Sequence, residues 1–92
     1  MAKDSISIRI ITPTGLPDGL KNELQVSAFT LNTPEGRIGF LPLHAPIVAL
    51  VAPGPMFYTS GEQQLRLDLG PGCLELSHDQ AELLVESVSQ PG

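Results

Sequence analysis

At 92 residues, 41% of them hydrophobic, the chain is long enough for one packed domain and too apolar for disorder. Ten acidic residues stand against five basic ones, a net charge of −5. That balance lacks the lysine- and arginine-rich footprint of a nucleic-acid binder and disfavours anionic lipid surfaces, so proteins are the expected partners. There is no run of about 18 apolar residues, so no direct membrane insertion is expected. Nine glycines and nine prolines leave little room for long helices of any kind.

The start, MAKDSISIRI, lacks the basic-then-apolar layout of a secretory leader, and none is expected. Cys73 is the single cysteine, cannot close an internal disulfide, and fits a reducing, cytosolic setting. Ile6, Ile8 and Ile10 then share one face while Ser5, Ser7 and Arg9 share the other, the period of a half-buried strand. TPTGLPDG reads as an irregular turn region. Leu24, Val26 and Ala28 begin a second strand, but Phe29 and Leu31 continue in the opposite phase, and a one-residue bulge would reconcile the halves. NTPEG (32–36) is a turn and RIGFL a short extended piece. IVALVA (47–52) is apolar without alternation, so either both faces are buried or another chain covers one of them.

PGP (53–55) interrupts that run, MFYTS resumes it, and SGE (60–62) has the chemistry of a tight hairpin. Leu65, Leu67 and Leu69 alternate with Arg66 and Asp68; after GPG, Leu74 and Leu76 face one way. The last segment reads two ways. Ala81, Leu84, Val85 and Val88 fall at helical spacing, with Asp79 and Glu82 imitating a capping box. Ala81, Leu83 and Val85 fit a strand equally well, and periodicity leaves both open. Strands every eight to twelve residues with turns between them indicate an all-β sandwich or barrel, the sandwich being preferred.

Reactive chemistry is thin. His44 and His78 could act as acid and base, with Asp79 or Glu75 orienting one of them, but no nucleophile setting or glycine elbow accompanies them. Two isolated histidines and one cysteine lack zinc-ligand spacing, so no metal is expected. Cys73 reads as a small core residue. GRIG has neither a following helix nor a lysine–hydroxyl pair and is no phosphate loop. Gly36 and Gly39 fit a positive backbone angle or a close chain approach, and Pro42 and Pro46 stiffen the segment between two strands. PLHAP is thereby expected to be a rigid projecting corner with His44 at its tip.

These residues carry a resemblance. EGRIGFLPLHAPIVALVAPG resembles the signature of the epsilon subunit of F-type ATP synthases, with Glu35, Gly36, Gly39, Pro42, His44, Ala45, Pro46, Pro53 and Gly54 in matching positions. LGPGCLELSHDQAELLVE downstream and IRIITP upstream are similar to the family's later block and first strand. The resemblance implies an all-β, ten-stranded β-sandwich of two antiparallel sheets, residues 1–92 as a single domain, with the tail a strand. It implies a rotor-stalk subunit with no active site and no cofactor. Its implied partners are the gamma subunit and the polar loops of the c-ring, with the alpha and beta subunits met through the complex. Its implied location is peripheral, on the cytoplasmic face of the bacterial cell membrane.

By that resemblance Ala45, Val48 and Ala49 contact gamma, Arg37 and His44 face the c-ring, and Gly36, Gly39, Pro42 and Pro46 shape the corner. Adjacent strand residues point oppositely, so Val48 and Ala49 cannot both face outward. The chain departs from the family pattern in four places. It stops at Pro91-Gly92 without the helical hairpin, so hydrolysis control and ATP binding through that hairpin are expected to be missing. Arg37 replaces a commonly acidic residue, Pro71 the first glycine of a pair, and Ala52 a lysine. A β-sandwich interaction module of other function and a small enzyme are the alternative readings.

Overall fold

The computed structural model describes residues 5–91, which form ten strands. They are β1 (Ile6–Ile11), β2 (Glu23–Val26), β3 (Ala28–Thr33), β4 (Gly36–Phe40), β5 (Ile47–Val51), β6 (Gly54–Ser60), β7 (Gln63–Leu69), β8 (Gly72–Ser77), β9 (Gln80–Val85) and β10 (Val88–Ser89). Two five-stranded sheets face each other, ordered β2-β1-β9-β8-β5 and β10-β7-β6-β3-β4. The expected ten-stranded sandwich is present. One pair departs from the antiparallel expectation, because β1 runs parallel to β9. The single-domain expectation over 1–92 also takes in 1–4 and 92, which lie outside the described residues.

The core follows from alternation. Ile6, Ile8 and Ile10 of β1, Leu74 and Leu76 of β8, and Ala81, Leu83 and Val85 of β9 point inward from the first sheet. Phe29, Leu31, Met56 and Leu67 meet them from the second, and all are buried. The ambiguous tail is therefore strand: the period-2 set of β9 is buried while Leu84 lies outside. Leu65 departs from its alternation partners and is exposed near the sheet end, beside the Gly61-Glu62 turn.

The phase change after Val26 is not a bulge within one sheet. Val26 pairs with Ile6 in the first sheet, and Ala28 lies opposite Thr59 in the second. Ser27 is the crossing point, its N–H donating to the Thr59 carbonyl at 2.9 Å. The Ser60 hydroxyl fastens the same corner by donating to the Gln25 carbonyl at 2.9 Å. Inward means opposite directions on facing sheets, so Val26 and Phe29 can both reach the core although they are three residues apart.

A tight turn closes the β8–β9 hairpin. Cross-strand pairs run from Gly72↔Val85 to Ser77↔Gln80, and His78 and Asp79 make the two-residue turn with φ of 53° and 60°. That is the left-handed geometry a tight hairpin needs. At the other end, a Cβ on Gly72 would run into the Leu84 carbonyl, so only glycine lets β8 and β9 approach there. Pro71 does not unpair the loop beside it: Glu86 N–H donates to the Pro71 carbonyl, and Gly70 N–H to that of Ser87, each at 2.9 Å.

Candidate functional site

β4 is an outer strand of one sheet and β5 of the other, and residues 41–46 join them. The two sheets are tied beside this link where Ala52 N–H, just past β5, donates to the carbonyl of Asn32, on β3 next to β4, at 2.9 Å. Pro42 and Leu43 form the turn of the connecting corner. Leu43 has φ of 68°, and its N–H donates to Asp79 Oδ1 at 2.7 Å.

The tip of this corner is Leu43, 78% exposed, rather than His44. His44 folds back half-buried, its ring 5.3 Å from that of Phe40, with Nδ1 2.6 Å from the Ala45 carbonyl oxygen. The left-handed turn at Leu43 redirects the chain, so the imidazole becomes packing and the leucine projects. Leu41 is exposed as well. Gly36 bears the expected positive angle, with φ of 124°. Gly39 needs neither a positive angle nor close approach, since a Cβ there would meet only Thr30 Cγ2 at an ordinary 3.5 Å.

Beyond Pro46, β5 alternates after all. Ile47, Ala49 and Val51 turn inward toward the facing sheet, whereas Val48 is 72% and Leu50 65% exposed. The run hid its period because both faces are apolar. Ala45 is exposed and Ala49 half-buried, so of the three residues assigned to gamma, Ala45 and Val48 are on the surface. Leu41, Leu43, Ala45, Val48 and Leu50 make an apolar margin along the corner and the β5 edge. Exposed apolar residues gathered in this way mark interaction surfaces more often than isolated ones do.

Leu50 also begins a row across the outer face of its sheet. It pairs with Cys73, Cys73 with Leu84, and Leu84 with Ile11. Cys73 is thus an outward, half-buried member of this row and not a core residue, because Leu74 and Leu76 occupy the inward positions of β8. A groove of about 500 Å³ opens beside the row, with Pro13 and Pro71 among its walls. The next row holds Val48, Glu75, Glu82 and Arg9, the last two forming an exposed ion pair at 3.8 Å.

Arg37 keeps different company. Its guanidinium lies 5.0 Å over the Phe57 ring, and its Nε donates to Asn32 Oδ1 at 3.4 Å. Arg37 is exposed on β4 while His44 is packed against Phe40, so the two residues assigned to the c-ring do not share one outward-facing tip. The acid–base reading also finds no constellation. The exposed His78 has its Nδ1 2.9 Å from the Ser77 hydroxyl, while Asp79 is engaged with Leu43. Among the described residues no three His, Cys, Asp or Glu side chains are grouped to hold a metal ion. No helix among them is long and apolar enough to cross a membrane.

The class is a ten-stranded, two-sheet β-sandwich whose exposed chemistry is an apolar margin. The chain belongs to the family described as the ATP synthase delta/epsilon chain β-sandwich domain, whose sequence model matches residues 5–91. It is similar to the ATP synthase epsilon chain of Alkalihalophilus pseudofirmus, 29% identical over 87 residues, covering 95% of this chain and 62% of that one. The epsilon chain of Pediococcus pentosaceus is 27% identical over 88 residues, covering 95% and 61% respectively. The chain therefore spans less than two thirds of the length of these curated relatives.

Among solved structures, a chain of the Euglena gracilis mitochondrial ATP synthase OSCP/F1/c-ring assembly superposes with a TM-score of 0.79. It is 22% identical, and the match covers 96% of this chain and 54% of that one. A chain of the Tetrahymena thermophila mitochondrial ATP synthase central stalk/c-ring structure gives 0.70 at 13% identity, covering 94% and 65%. At such identities the likeness carries the fold.

Proposed function

We propose that this chain is a rotor-stalk subunit of an F-type ATP synthase, docking on gamma through the apolar margin of the corner and β5. The observation that carries the reading is the exposure of Leu43, Val48 and Leu50 along one edge, in a chain of the delta/epsilon family. Ala45 and Val48 meet gamma directly, and Ala49 supports them from beneath. The contribution is mechanical: a stiff β-sandwich passes torque through its interfaces and performs no chemistry of its own. Arg37 faces the polar loops of the c-ring, held by Phe57 and Asn32. An exposed ion pair contributes only about 0–1 kcal/mol, so Arg37 selects and orients its partner more than it supplies affinity. The chain sits peripherally, at the cytoplasmic face of a bacterial membrane, and reaches the alpha and beta subunits through the complex.

Co-purification from native membranes tests this reading. A tagged chain is expected to recover gamma together with alpha and beta, identified by mass spectrometry. Recovery free of all three, with the tag accessible and the chain folded, contradicts it and favours an interaction module of other function.

A further inference from the structure

Three non-glycine residues among those described have a positive φ: Leu43, His78 and Asp79. They meet at one point. Asp79 is the second residue of the β8–β9 turn, and its carboxylate accepts the Leu43 N–H at 2.7 Å across 36 residues of sequence. Its backbone carbonyl also accepts the Ser7 N–H at 2.9 Å, which anchors the turn to β1. Left-handed backbone is unfavourable for a branched side chain such as leucine, and persists where surrounding contacts hold it. Leu43 is 78% exposed, so little side-chain packing can do the holding.

A two-residue turn with positive φ at both positions favours Asn-Gly or Asp-Gly. Here the second position carries Asp79 where glycine is the easier residue, and the carboxylate gained is the one that reaches the corner.

We propose that Asp79 is the positioning residue of the docking corner, its carboxylate holding Leu43 left-handed so that Leu41 and Leu43 are presented outward. This rests on the docking reading of the corner given above. The hairpin tip works as a clamp reaching from one sheet to the link between the two sheet edges. Asp79→Asn keeps an acceptor oxygen. Asp79→Gly removes the acceptor while giving the turn its preferred residue, so it separates positioning from turn stability.

The experiment uses the full chain in three forms, wild type, Asp79→Asn and Asp79→Gly. Amide hydrogen exchange at Leu43, thermal stability, and affinity for purified gamma are read on each. The expected result is a Leu43 amide exchanging about tenfold faster or more in Asp79→Gly, the weight of a hydrogen bond to a charged acceptor. Its thermal midpoint is unchanged or higher, its gamma affinity falls several-fold, and Asp79→Asn restores most of both properties. Equal Leu43 exchange in wild type and Asp79→Gly overturns the clamp, whatever gamma does. Faster exchange with unchanged gamma affinity overturns the positioning role, and locates the error in the docking reading of the corner instead of in the hydrogen bond.

Discussion

Val48→Asp separates a docking residue from a folding residue at the centre of the apolar margin. Full burial of a valine side chain stabilises by about 1.5–3 kcal/mol. Val48 is 72% exposed in the free chain, so roughly a quarter of that, about 0.5 kcal/mol, is committed to folding. Its cross-strand partner is Glu75, and two carboxylates directly opposite cost roughly a further 0.2–1 kcal/mol. The predicted loss of stability is thus about 1 kcal/mol, small against the roughly 5–15 kcal/mol that keeps ordinary domains folded. The remaining three quarters of the side chain, about 1–2 kcal/mol, is what a partner gains by covering it. Burying an unpaired carboxylate in its place adds a desolvation penalty, so gamma affinity falls about a hundredfold or more. Val48→Lys is the companion variant: it faces Glu75 with the opposite charge, and is expected to match wild-type stability while still blocking gamma. Chemical denaturation and calorimetric titration with gamma measure the two quantities. Loss of about 3 kcal/mol of stability in both variants, or undiminished gamma affinity in both, refutes the reasoning.

Gly72→Ala is expected to destabilise by about 3 kcal/mol or more, because its Cβ would lie 2.7 Å from Val85 Cα and 2.8 Å from the Leu84 carbonyl carbon, backbone atoms with nowhere to go. A denaturation midpoint near wild type would contradict this. Thr30 Oγ1 is a buried side-chain oxygen with no hydrogen-bond partner among the described residues, so the near-isosteric Thr30→Val is expected to raise stability by about 1 kcal/mol, read as an increased thermal midpoint. Burial raises the Tyr58 phenol pKa above its usual 10.0, so the folded chain holds that proton to higher pH than the unfolded one. Its contribution is fully present below pH 10.0 and is lost as pH rises through the shifted value, so Tyr58→Phe is expected to flatten the alkaline loss of stability in denaturation series. Arg37→Glu is expected to weaken ATP-driven ion pumping in the assembled complex while leaving hydrolysis largely intact; equal pumping across a range of salt concentrations would remove Arg37 from the coupling interface.

Most strands are legible because one of their faces is polar: Ile6, Ile8 and Ile10 stand against serines and an arginine, and Leu74 and Leu76 flank Glu75. Where both faces are apolar, as in β5, the same period exists but leaves no mark in the sequence. The crossing at Ser27 has a bulge's signature because a phase shift records a change of inward direction without naming the sheet. His44 stands out as the titratable residue of the corner, whereas the projecting groups are Leu41 and Leu43. Large apolar residues bracketing a proline in a turn are the available signal for them. The contact that holds Leu43 comes from Asp79, and no local pattern reports a partner so distant in sequence.

Docking of gamma on the corner and the β5 edge is the central claim. Titrating the isotopically labelled full chain with purified gamma, and following its backbone amide resonances, tests that claim most directly. The largest changes are expected at Leu41, Leu43, Ala45, Val48 and Leu50, with the outer face around Phe57 and Arg37 left quiet. Changes confined to that opposite face, or no changes in the presence of folded gamma, would contradict it.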